Sequence, residues 1–90
     1  MVKKRNKLEI VFEIIDILSK ETLNPTKLAM LVNMPYDRLK KLLEELIEKG
    51  IIQFEEQGRS KVFMLTPQGY KLYEELKKVR KILKDYGILD

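Results

Sequence analysis

Apolar positions recur every three or four residues through four stretches of this chain. A shorter alternating pattern occupies one further region, so the sequence predicts four helices and a hairpin. The first helix spans about residues 6–20, with Leu8, Val11, Phe12, Ile15 and Leu18 in helical spacing. Ile10, Ile14 and Ile17 widen its apolar arc, leaving Glu9, Glu13 and Asp16 as the wet edge. An arc that wide implies burial on more than one side, either within one core or against a helix of a partner chain. The second helix opens at Asn24-Pro25, a cap followed by proline at the first helical position. Leu28, Leu31 and Val32 are expected inside, with Ala29 allowing close approach. Asn33-Met34-Pro35 breaks the pattern, because Asn tolerates a left-handed turn and Pro cannot continue the preceding helix. A third helix, about 35–49, carries the inner stripe Leu39, Leu42, Leu43, Leu46 and Ile47 and stops at Gly50.

Two short apolar runs follow, Ile51 to Phe54 and Val62 to Leu65, with a polar loop from Glu55 to Lys61 between them. The last helix opens at Thr66-Pro67 and runs to about Tyr86, before Gly87. The predicted fold is therefore mainly α with a small β-hairpin wing, in the order α-α-α-β-β-α. That is the order of a helix-turn-helix with a wing, in which the second helix of the tight pair can enter a DNA major groove. Residues 1–66 are expected to form the DNA-binding domain and residues 67–90 a dimerisation helix. Leu72, Leu76, Val79, Leu83 and Tyr86 stand at heptad spacing, with Tyr70, Tyr73 and Ile82 as a second edge. A single amphipathic helix packed on its own domain would also show such a stripe. Most of this one lies beyond the reach of a small core, so a homodimeric coiled coil is the expectation.

Charge sharpens the picture. The chain has 90 residues, 44% hydrophobic and 36% charged, with net charge +4 and a pI of about 9.3. A basic balance suits a polyanionic partner. Lys3, Lys4, Arg5 and Lys7 make the first seven residues basic with no acid among them. Along the third helix, residues 36–41 sum to +2 and residues 44–49 to −2. This ordering opposes the helix dipole, which favours acids at the N-terminus. An ordinary solvated face could be charged in any order. A helix whose N-terminal end approaches phosphates would be charged in this one.

Other residue types limit the chemistry. The chain has no Cys and no His, which excludes thiolate or imidazole metal sites, disulfides, and Cys or His nucleophiles and bases. Ser19 and Ser60 therefore have no His partner. No apolar run reaches the length of a membrane span, and the acids behind the basic start argue against a signal peptide. The expectation is a non-enzyme without cofactor, metal or membrane partner, in the cytoplasm and associated with the nucleoid.

The candidate DNA contacts follow from this placement. Tyr36, Asp37, Arg38, Lys40 and Lys41 open the third helix and are the candidates for the major groove. Tyr36 could contact phosphate and Asp37 could accept from a cytosine amino group. Arg59 and Lys61 in the wing, with Lys3, Lys4 and Arg5 in the tail, are candidates for backbone or minor-groove contact.

The sequence resembles the small archaeal winged-helix DNA-binding proteins, in particular the ten-kilodalton "10a" class of chromatin-associated proteins and predicted transcriptional regulators. Four stretches carry the resemblance: Lys7-Leu8-Glu9-Ile10, Tyr36-Asp37-Arg38-Leu39-Lys40-Lys41-Leu42-Leu43, Leu46-Ile47-Glu48-Lys49-Gly50-Ile51-Ile52 and Leu65-Thr66-Pro67-Gln68-Gly69. It implies an antiparallel coiled coil of two C-terminal helices, with a winged domain at either end of a rod. Met34-Pro35 departs from the small hydroxyl cap often found there. The alternative is a winged-helix protein–protein interaction module without DNA binding. Such a module should present an exposed apolar patch instead of the charged face expected here.

Overall fold

The computed structural model describes residues 5–88. It contains α1 (Lys7–Leu18), α2 (Pro25–Val32), α3 (Tyr36–Glu48), β1 (Ile52–Gln57), β2 (Ser60–Leu65) and α4 (Pro67–Asp85). The mainly α architecture with a two-stranded wing thus follows the predicted order. Three of the helices begin where a side chain satisfies an exposed amide. Asn6 Oδ1 accepts from Glu9 N and Asn24 Oδ1 accepts from Lys27 N, both at 2.8 Å. Thr66 Oγ1 accepts from Gly69 N at 2.9 Å.

Helix α1 buries most of its expected wide arc, with Leu8 the exception. Ile10, Ile14, Ile15 and Leu18 are buried, Val11 and Phe12 are partly buried, and Leu8 is 63% exposed. Residues of both overlapping stripes are buried, Ile15 and Leu18 from one and Ile10 and Ile14 from the other, and packing leaves out Leu8 at the helix start. In α2, Leu28 and Val32 are buried as expected, but Leu31 is half exposed. A helix of eight residues offers the core two turns, and the Leu28–Val32 pair at i, i+4 fills them.

Helix α3 buries Leu39, Leu43 and Leu46. It ends in a paired hydrogen-bond pattern that reaches across Gly50, which holds φ +75°. Ile51 N donates to Leu46 O and Gly50 N to Ile47 O, each at 2.9 Å. This left-handed exit satisfies two terminal carbonyls and turns Ile51 into the core.

The wing is a longer and tighter hairpin than the apolar pattern predicted. The antiparallel pairing runs from Ile52↔Leu65 out to Gln57↔Ser60. Gly58 and Arg59 alone form the turn, with φ +64° at Gly58. The segment expected as a loop, Glu55 to Lys61, is therefore mostly strand. Its outer residues face solvent on both sides, so the ladder continues where hydrophobic alternation has stopped. A further pairing joins Leu23 to Phe63, with Phe63 N donating to Leu23 O at 2.7 Å. One residue carries no periodicity, and this bridge had no signal in the sequence.

The start of α4 is locked to the end of α3. The Thr66 hydroxyl donates to Gly50 O at 2.6 Å, and Thr66 N to Ile51 O at 3.1 Å. Gly69 is buried there, and a Cβ at this position would lie 2.1 Å from Ile51 O. Leu72, Tyr73 and Leu76 then pack on the core. Tyr73 also stacks near Phe12, with centroids 6.2 Å apart, and its hydroxyl donates to Asp16 Oδ1 at 2.7 Å. No helix among the described residues is long and apolar enough to cross a membrane.

Candidate nucleic-acid interface

The helix-turn-helix unit consists of α2, the turn at residues 33–35, and α3. Asn33 ends α2 in the left-handed region at φ 58°, and Met34 N donates back to Ala29 O at 3.1 Å. Pro35 then stands at the N-cap of α3 in extended conformation, with no side-chain cap hydrogen bond. Leu28 and Val32 on α2 and Leu39 and Leu43 on α3 are buried in the same core cluster. Burial of those four side chains fixes which face of α3 is left outside.

That outer face carries the predicted contacts. Tyr36 is 46% exposed, and Asp37, Arg38, Lys40 and Lys41 are all exposed. Among the described residues, none of Asp37, Arg38, Lys40 and Lys41 takes part in an ion pair. The cations in the N-terminal half of α3 are thus left outside any ion pair among the described residues. In its C-terminal half, Lys7 Nζ lies 2.6 Å from Glu45 Oε1. The hydrogen bond from Lys7 holds the Glu45 carboxyl below its usual range, slightly opposed by desolvation and helped by the charges of Lys7 and Lys49.

In the wing, Arg59 stands exposed in the turn and Lys61 on β2. The Lys61 ammonium sits 4.8 Å from the centroid of Phe54, whose ring pairs with Phe63 at 6.1 Å. This cation–π contact draws the lysine over the outer ring of the hairpin. Arg5 has intramolecular partners. Its Nη1 pairs with Glu13 Oε2 at 2.5 Å and its Nη2 donates to Asn33 O at 3.3 Å. It ties the segment before α1 to the turn of the helix-turn-helix. Lys3 and Lys4 lie outside the described residues.

Sequence reasoning passed over two features of this region. Lys27 is exposed in the first turn of α2, signalled by nothing more than its place after Asn24-Pro25. Met30 is 76% exposed and lies with Tyr36 on an open groove between α2 and α3.

The expected dimer seam divides. Leu72 and Leu76 are partly buried against the chain's own core, and Leu83 is partly buried. Val79 is 50% exposed and Tyr86 78%, and Ile82, at 53%, joins them. Arg80 lies over Phe12, 5.0 Å from the ring centroid.

Comparison with solved structures finds this arrangement repeatedly. MepR, a transcription regulator of a Staphylococcus aureus multidrug efflux pump, superposes with a TM-score of 0.81 at 19% identity, covering 88% of this chain and 62% of that one. Sso10a-2, a DNA-binding protein from Sulfolobus solfataricus, gives 0.72 at 23% identity, covering 92% and 90%. The adhesin competence repressor AdcR from Streptococcus pyogenes gives 0.72 at 21% identity, covering 87% and 61%. The chain therefore spans about three fifths of the length of the two bacterial regulators and nearly all of the Sulfolobus protein. No curated protein matches by sequence. The winged helix-turn-helix family profile matches residues 4–84, and the chain belongs to the winged helix-turn-helix family.

Proposed function

We propose that this protein binds double-stranded DNA as a homodimer and serves as a transcriptional regulator or a chromatin-associated architectural protein, not as an enzyme. One observation carries the reading. The first two turns of α3 expose Arg38, Lys40 and Lys41 with no carboxylate partner among the described residues, and the wing adds Arg59 in its turn and Lys61 on β2. Cations left without counter-ions on a helix of this fold suit phosphates and base edges. Asp37 sits among them as an acceptor for a cytosine amino group. Lys3 and Lys4 add backbone contacts from the tail, while Arg5 holds the tail's root to Glu13 and the turn.

Residues 1–66 act as the DNA-binding domain and residues 67–90 as the dimerisation helix, with the first turns of α4 also walling the core. The bare apolar residues Val79, Ile82 and Tyr86 support pairing with a second copy. Near end-to-end coverage with the Sulfolobus protein supports a place in the small archaeal 10a-type class, acting in the cytoplasm at the nucleoid. A salt titration of binding to duplex DNA tests the reading. With about four to six phosphates neutralised per subunit, log affinity falls steeply against log salt. Affinity that is absent, or flat between about 50 and 200 mM salt, refutes it.

A further inference from the structure

The groove between α2 and the start of α3 has a volume of about 490 Å³ and is walled chiefly by Ala29, Met30, Met34, Pro35 and Tyr36. Two large side chains on it, Met30 at 76% and Tyr36 at 46%, lie open to solvent. The groove stands at the N-terminal end of α3, the part of a recognition helix that meets base edges. Its setting is cationic. Residues 24–41 contain Lys27, Arg38, Lys40 and Lys41 against the single acid Asp37. A largely apolar groove on a cationic helix-turn-helix segment complements an apolar group flanked by anions. Thymine in a duplex offers that combination, because its C5 methyl projects into the major groove between two phosphate backbones.

We propose that this groove seats the C5 methyl of thymine, and that Tyr36 and Met30 determine a preference for thymine at the bases facing the start of α3. The proposal rests on the DNA-binding reading above. Asp37, next along the helix, then faces the neighbouring base as an acceptor, so one turn of α3 distinguishes a methyl from a cytosine amino group. An acidic protein segment is the other occupant with matching charge. It would need a long apolar ridge, whereas this groove is short and open.

The test compares the full chain on three random-sequence duplex pools, made with thymidine, with deoxyuridine in its place, or with deoxyuridine together with 5-methylcytosine. Deoxyuridine removes the methyl and keeps every hydrogen-bonding group, and 5-methylcytosine returns a methyl to the same groove. Each seated methyl is worth about fourfold in affinity. The wild-type chain should therefore bind the deoxyuridine pool about fourfold more weakly or worse, and recover on the third pool. Tyr36→Ala should bind the thymidine and deoxyuridine pools alike, while Tyr36→Phe keeps the discrimination. Equal wild-type affinity for those two pools overturns the inference and leaves DNA binding standing. If Tyr36→Ala also leaves DNA affinity unchanged, the groove does not face the duplex. Discrimination that survives in Tyr36→Ala likewise overturns it. Failure to bind any pool removes the DNA-binding reading and this inference together.

Discussion

Leu72, Tyr73 and Leu76, in the first half of α4, lie against the chain's own core, whereas Val79, Ile82 and Tyr86, further along the helix, stay half or more exposed. The same apolar spacing runs through both halves. What differs is the surface each half meets. The first half finds Phe12 and Asp16 on α1 and the backbone of Ile51, which leaves no room for a side chain at Gly69. Further along, Arg80 covers the ring of Phe12, and Leu8 near the start of α1 is itself exposed. A heptad pattern therefore states that a seam exists without stating what fills it.

The largest way to break this contrast is at the docked end. Gly69→Ala forces a methyl against Ile51 O, and the cost should reach about 3 kcal/mol, the upper end for overpacking a filled site. Urea unfolding measures it, and a loss near zero would mean that the α4 start is not held as described. At the bare end the opposite holds. Val79→Lys with Ile82→Lys should leave the single chain folded, because neither side chain is packed on its own core, while the concentration-dependent rise in urea midpoint that pairing supplies disappears. Sedimentation should shift from dimer to monomer, with about a hundredfold loss of apparent DNA affinity as two-headed binding disappears. These positions test the seam better than Leu76, whose replacement would also damage the core. A wild-type chain that sediments as a monomer at tens of micromolar would assign the whole helix to one domain.

Two smaller effects sharpen the comparison on the other side of the molecule. Lys40→Ala with Lys41→Ala should weaken DNA binding about tenfold at moderate salt and reduce the salt slope by about two per subunit. Folding should not change, since both side chains are exposed and outside any ion pair among the described residues. Unchanged affinity would move the DNA contact away from α3. The smallest effect concerns Lys7 and Glu45, which tie α1 to α3. The Glu45 carboxyl titrates below its usual range in the folded chain. Its contribution is therefore complete above the unfolded carboxylate value and disappears as pH falls through the lower folded value. Glu45→Gln should remove that part of the acid dependence, visible as a slightly smaller loss of stability from neutral to acid pH. An identical profile in the variant would show that the pair contributes nothing.

Local chemistry made much of the fold legible. Asn24-Pro25, Thr66-Pro67 and Gly50 mark helix ends because caps, fixed proline φ and the left-handed glycine act within a few residues. The element order and the exposed cations of α3 follow from them. The candidate site was less completely legible. Arg38, Lys40 and Lys41 were visible as a charge cluster, but Met30 was passed over and Arg5 read as a tail cation. Both outcomes depend on which side a residue faces and on partners far along the chain, such as Asn33 for Arg5.

The sequence by itself determined where the helices begin and end, that a wing follows α3, and the charge order of α3, because each is set by neighbours within a turn or two. Tertiary structure alone decided that Leu8 is left out of the buried arc of α1, that Leu23 pairs with Phe63, and where along α4 the chain's own core ends. Those outcomes depend on volume and surface shared between distant segments. Several periodicities satisfy the local rules equally, and packing chooses among them by how much apolar surface it removes from water.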